Sequence, residues 1–201
     1  LRRRRRMRGD RALVTGASAG IGAAFADRLA EEGYALVLVA RREERLRERA
    51  AALGERWGVE VEVVAADLAD AGGRARVRDA CDTGAPLAMV VLNAGFGAIG
   101  PVATIGRERQ VAMVALNCEA VVDLACHVLP GMIARRRGDL IIVSSAAAWQ
   151  PIPFTATYAA TKAFELFFAE ALERELVGTG VRVIAACPGP VATEFGAVAG
   201  S

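Results

Sequence analysis

Short apolar runs alternate with longer amphipathic stretches along most of the chain, and this rhythm predicts the elements before any single residue is considered. Six runs, at 11–15, 35–40, 59–65, 86–92, 138–145 and 181–187, are rich in Val, Leu, Ile and Ala with little polar alternation. Runs of that length and character suit strands covered on both faces. The stretches between them predict helices at about 20–32, 43–57, 70–82, 106–134 and 155–178. In the fourth, Val111, Val114, Ala115, Cys118, Val121, Val122, Ala125 and Leu129 recur at three-and-four spacing, with Asn117 as the polar exception. In the fifth, the predicted apolar stripe is Phe164, Phe167, Phe168, Ala171 and Leu172. Strands alternating with helices predict an α/β fold, a doubly wound parallel sheet with helices on both faces and any ligand at the carboxyl ends of the strands.

A chain of 201 residues fits one domain. Apolar residues make up 54% and aromatics 5%, so the core must be built from Ala, Val, Leu and Ile. The formal net charge is +2, yet Arg2 to Arg6 alone supply five positive charges, so the remainder is net negative and offers no nucleic-acid surface. That Arg run lacks interleaved aromatics and is not followed by the apolar stretch of a signal peptide. Residues 1–9 are therefore read as a basic, disordered extension and 10–201 as the folded domain. Met7 stands just ahead of the first run, which points to residues 1–6 lying upstream of the true start. No window holds the ~20 uninterrupted apolar residues of a membrane span, so no membrane partner is expected. Cys81, Cys118, Cys126 and Cys187 are widely separated in apolar surroundings, the pattern of reduced core cysteines in a cytoplasmic protein. His127 is the only histidine and lies within a predicted helix, so no metal site is expected.

Candidate chemistry gathers at the strand ends. After the first run comes Gly16-Ala-Ser18-Ala19-Gly20-Ile21-Gly22, a strand, glycine loop and helix in succession. Glycines let backbone approach a pyrophosphate, whose charge then meets the N–H groups of the helix start. The spacing G-x-x-x-G-x-G differs from the G-x-G-x-x-G fingerprint, and a glycine turn without a ligand reads equally well from the loop alone. About 20 residues on, where an NAD site places a carboxylate, the chain reads Ala40-Arg41-Arg42. Two guanidinium groups suit a 2′-phosphate and hence NADP, unless they simply open the charged helix that follows. Asn93-Ala94-Gly95 after the fourth run makes a small-residue turn where backbone can lie close to a ligand.

Tyr158 and Lys162 stand four apart on the last predicted helix, hence on one face. An ammonium at ~4 Å favours the phenolate and brings toward working pH a group that otherwise ionises near pH ~10. The Y-x-x-x-K pattern alone is common by chance, and its context gives it weight. The Ser144-Ser145 pair ends the fifth run, where a strand would deliver a hydroxyl able to orient a carbonyl. Asn117, an amide inside a helix, is either met by solvent or holds a water or a backbone group near the site.

Taken together, Thr15 to Gly22, Asn93-Ala-Gly95, Asn117, Ser145, Tyr158-x-x-x-Lys162 and Pro188-Gly189 resemble the short-chain dehydrogenase/reductase family, in order and at its spacing. The glycine spacing is that family's own form. The resemblance implies a Rossmann-like sheet and NADP(H) as cofactor. It implies a catalytic set of Ser145, Tyr158 and Lys162 with Asn117 in support, and adenine contact at Asp67. Leu68, Ala94, Pro188, Gly189, Val191 and Thr193 would complete the cofactor site. The substrate would be a small carbonyl or alcohol, and Leu129-Pro-Gly-Met132 with the Tyr158 helix looks most like 3-oxoacyl or hydroxysteroid reductases. A family chain normally continues past Thr193 through a substrate lid, a helix and a seventh strand, whereas this sequence stops at Ser201. Two expectations follow, an NADP-linked oxidoreductase or a catalytically weak dinucleotide or partner binder. Because helix 106–134 is apolar on more than one side, a homo-oligomer through the two long helices, limited to a dimer, is also expected.

Overall fold

All six predicted runs are strands: β1 (Arg11–Thr15), β2 (Ala35–Ala40), β3 (Val61–Ala65), β4 (Leu87–Leu92), β5 (Gly138–Val143) and β6 (Val181–Ala186). The structure is a computed structural model and describes residues 10–189. The strands run parallel in the order β3-β2-β1-β4-β5-β6. The helices are α1 (Gly20–Glu31), α2 (Glu43–Trp57), α3 (Ala71–Asp82), α4 (Arg107–Val114), α5 (Ala120–Ala134) and α6 (Ala156–Glu175). The Arg2–Arg6 run, Val191 and Thr193 lie outside the described residues.

Period-two alternation along each strand feeds two cores. Leu13 of β1 joins Val77 of α3, Leu124 and Met132 of α5, and Ala169 and Leu172 of α6. Its neighbours Ala12 and Val14 point the other way, onto Ala26 and Leu29 of α1 and Leu46 and Leu53 of α2. Strand order reverses between β1 and β4, which opens a crevice at their carboxyl ends. Ile184 of β6 lies on the α1–α2 side of the sheet's far edge and is 41% exposed.

Three sequence expectations change in the structure. The stretch 106–134 is not uniform α-helix, because a π turn (Ala115–Glu119) lies between α4 and α5. By length and composition alone this stretch is apolar enough to cross a membrane. In the fold, Val121, Leu124, Ala125, Val128 and Met132 are buried, while Val111, Val114 and Ile133 are exposed. On α6, the residues facing the core are Ala159, Leu166, Ala169 and Leu172, while Phe164, Phe167 and Ala171 are exposed. The small Ala159 and Ala169 let the helix lie close on the sheet and rotate the aromatic row to its flank, where Phe164 stacks on Phe168 at 5.9 Å. The four thiols are free, but none is fully buried and Cys126 is exposed.

Candidate active site

The Thr15 hydroxyl, at the end of β1, ties the two sides of the crevice together. It accepts from the N–H groups of Asn93 and Ala94 at 2.9 and 3.0 Å and donates to the Val91 carbonyl at 3.3 Å. The Asn93 side chain donates in return to the Thr15 carbonyl at 3.0 Å. Gly16 has φ +68°, and a Cβ there would sit 2.7 Å from Asn93 Nδ2. A Cβ on Gly22 would come within 2.4 Å of the Gly16 oxygen, so loop and α1 meet backbone to backbone. The first turn of α1 has no side-chain cap and no acidic residue, which leaves its N–H groups and positive dipole end for an anion. Gly22 is thus a packing glycine behind the loop.

Arg42 reaches across from β2 and donates through Nη2 to Ser18 Oγ at 3.1 Å. Arg41 Nη1 lies 4.0 Å from the Asp67 carboxylate at the end of β3. Asp67 also accepts from the Ala69 N–H, which shapes its turn. Two exposed guanidinium groups therefore flank the glycine loop. In this exposed setting their charge is cheap to hold and ready for a phosphate.

The far side of the cleft is built by the π turn, β5 and α6. The wider π turn carries Asn117 inward, where it is 0% exposed. Its Oδ1 accepts from the Phe96 N–H at 3.2 Å, and its Nδ2 donates to the Phe96 carbonyl at 3.0 Å and to Thr161 Oγ1 at 2.9 Å. Of the two sequence alternatives for Asn117, the backbone-holding one is realised. Ser145 Oγ accepts from the Ala147 N–H at 3.1 Å and caps a short 3₁₀ turn (Ala146–Trp149). Its neighbour Ser144 is buried and donates to the Lys162 carbonyl at 2.7 Å, anchoring α6 to the end of β5.

The Lys162 ammonium lies 5.9 Å from the centroid of the Tyr158 ring, on the same side of α6. Nζ donates to both oxygens of Glu165, at 3.1 and 2.8 Å, and to the Val143 carbonyl at 3.1 Å. Glu165 is buried, and desolvation pushes its carboxyl from the ordinary 4.5 up to about 7 against the charge and hydrogen bond of Lys162. Burial likewise pushes the Cys118 thiol up to about 11 and the Cys81 thiol up to about 12, so neither is a ready nucleophile.

These elements enclose a cleft of about 760 Å³. It is lined by Gly16, Ser18, Ala19, Gly20, Ile21, Arg41, Arg42, Asp67, Leu68, Asn93, Ala94, Gly95, Ser145, Tyr158, Lys162, Pro188 and Gly189, all expected from the sequence. Gly22 and Asn117 stand behind the wall, with roles in packing and loop anchoring. Sequence reasoning missed the apolar wall of Phe96, Leu116 and Ile152, along with Glu165, Thr15 and Thr161. Glu165 had a readable signal: one carboxylate directly before Leu166 on the side of α6 that also bears Lys162. His127 pairs with Asp82 at 3.0 Å at the surface, away from the cleft-lining residues. Among the described residues no cluster of metal ligands occurs.

A parallel sheet of this order, with a glycine-edged cleft at its switch point, defines a Rossmann-like α/β protein. More narrowly, the chain belongs to the short chain dehydrogenase family, whose model matches residues 10–200. It is 34% identical over 191 residues to a very-long-chain 3-oxoacyl-CoA reductase of Anas platyrhynchos, covering 92% of this chain and 60% of that protein. It superposes with a TM-score of 0.92 and 36% identity on a short-chain dehydrogenase from Sphingobium yanoikuyae in complex with NADPH, covering 95% of this chain and 75% of that one. An L-sorbose reductase from Gluconobacter frateurii, complexed with NADPH and L-sorbose, matches at TM-score 0.86 and 36% identity over 93% of this chain and 72% of its own. The chain spans about 60% of the length of the curated relatives it matches.

Proposed function

We propose that the chain is an NADP(H)-dependent oxidoreductase that interconverts a carbonyl and a secondary alcohol. The observation that carries this reading is that Ser145, Tyr158 and Lys162 line the same cleft as the glycine loop and the Arg41–Arg42 pair. The uncapped start of α1 and the glycine cradle fit a pyrophosphate, and Ser18 with the two arginines fits a 2′-phosphate. Asp67 and Leu68 then border the adenine, while Asn93 to Gly95 and Pro188-Gly189 border the ribose and nicotinamide. When bound, the nicotinamide supplies or takes up the hydride. Ser145 holds the substrate carbonyl, and Tyr158 gives its phenolic proton to the carbonyl oxygen or takes one from the alcohol. Lys162 holds the cofactor ribose and keeps a positive charge near the phenol, on a wall that Asn117 fixes in place.

A 3-oxoacyl or hydroxysteroid type substrate fits the apolar wall of Phe96, Leu116 and Ile152 and agrees with the names of two of the similar proteins, a very-long-chain 3-oxoacyl-CoA reductase and a 7beta-hydroxysteroid dehydrogenase. Self-association through α4 and α6 is part of the reading. The two helices pack together and expose Val111, Val114, Phe164 and Phe167, an apolar face suited to a second copy. Free thiols suit a cytoplasmic setting. A second reading, a dinucleotide binder with weak catalysis, draws on the engagement of the Lys162 ammonium by Glu165. NADPH oxidation against 3-oxoacyl esters, steroid ketones and simple aldehydes tests the choice. Turnover of any of them supports the oxidoreductase, and tight NADPH binding with no turnover of any supports the binder.

A further inference from the structure

The Lys162 ammonium donates to the Val143 carbonyl and to the carboxylate of Glu165, whose two oxygens both lie within reach. Lys162 and Glu165 are 4% and 1% exposed, so water offers neither group an alternative. A Cβ built on Gly95 would lie 3.3 Å from Nζ, and both residues line the cleft. A cofactor ribose bound in the cleft would compete with these acceptors for the ammonium. The bond to an ionised, desolvated carboxylate is the strong one, whereas a neutral carboxyl releases it readily. Among the described residues, Lys162 is the charge that acts on Glu165, and Cys118 of the π turn is the further ionisable group coupled to it. β5 contributes the Val143 carbonyl, while the 3₁₀ turn, β6 and α4, also packed on α6, add no charge that moves it.

We propose that Glu165 is a positioning residue for Lys162: ionised, it competes with the ribose of the cofactor for the ammonium at the cleft wall, and protonated, it yields the ammonium to that ribose. The proposal rests on the reading of the cleft as an NADP(H) site. Cofactor binding above neutral pH then takes one proton from solvent onto Glu165. Glu165→Gln keeps the shape of the side chain without the charge and leaves the ammonium permanently available.

The test is NADPH titration of wild type and Glu165→Gln between about pH 5.5 and about pH 8.5, read as the ratio of their dissociation constants. Ionisation of the 2′-phosphate affects both proteins alike and cancels in that ratio. The expected ratio is about one at the acidic end, rising at least about fivefold in favour of the variant at the basic end. Calorimetry of wild type in buffers of different ionisation heat adds a readout that needs no variant. Uptake of about half a proton or more per NADPH near pH 8 is expected. A flat ratio with both proteins binding, or no proton uptake by wild type, overturns the proposal while leaving the cofactor reading intact. If neither protein binds NADPH at any pH, the cofactor reading and this proposal both fall.

Discussion

Asn117→Ala removes the anchor of the loop after β4 and provides a quantitative test of the site's construction. Three hydrogen bonds are lost, two to the Phe96 backbone and one to Thr161 Oγ1, all from a side chain with no exposure. At about 1 kcal/mol net for each bond, the destabilisation is about 3 kcal/mol. For a domain of this size that lowers Tm by roughly 6–12 °C. Urea unfolding followed by tryptophan fluorescence and circular dichroism measures it, with m expected to stay the same. Thr161→Val, which removes the hydroxyl that accepts from Asn117 and donates to the Tyr158 carbonyl at 2.8 Å, costs about 1–2 kcal/mol. The double variant is expected to be less destabilised than the sum by about 1 kcal/mol, because the two share one bond. A loss below about 1 kcal/mol for Asn117→Ala would refute the argument that this amide holds the cleft wall.

Three further outcomes are expected. Glu165 holds a proton in the folded chain that the unfolded chain has released between 4.5 and about 7, so its stabilising contribution is complete below that window and is lost as pH rises through it. Urea unfolding of wild type relative to Glu165→Gln is expected to decline by about 3 kcal/mol across that range, and a constant difference would contradict the burial argument. Arg41→Ala and Arg42→Ala are each expected to weaken NADPH binding at least about tenfold with little change for NADH. Equal losses for both cofactors in a fluorescence titration would remove the 2′-phosphate role. Phe167→Glu, which puts a charge on the exposed flank of α6, is expected to turn a dimer into a monomer by light scattering, and a wild-type monomer at micromolar concentration would contradict the association reading.

The elements of the sheet were legible because parallel strands buried on both faces leave unbroken apolar runs, and helix periodicity fills the intervals. The glycine loop, the arginine pair, Ser145, Tyr158 and Lys162 were legible because chemistry at strand ends needs particular residue types at fixed spacing. What escaped depends on rotation and depth. A π turn has no sequence signature of its own, and one added residue per turn decides whether Asn117 faces solvent or the Phe96 backbone. On α6, an aromatic row and an alanine row both repeat at helical spacing. Close approach to the sheet favours the alanines, which put Phe167 outside and Glu165 inside. The Lys162–Glu165 pair is therefore a product of tertiary packing, although both residues stand in plain view in the sequence.

The central claim, that Tyr158 is the proton donor of an NADP(H)-linked carbonyl reduction, is tested most directly by Tyr158→Phe, with turnover and NADPH affinity measured on the same preparation. Reduction of a substrate accepted by wild type is expected to fall by at least about a hundredfold while the NADPH dissociation constant changes by less than about threefold. Reduction by the Phe variant as fast as by wild type would contradict the claim.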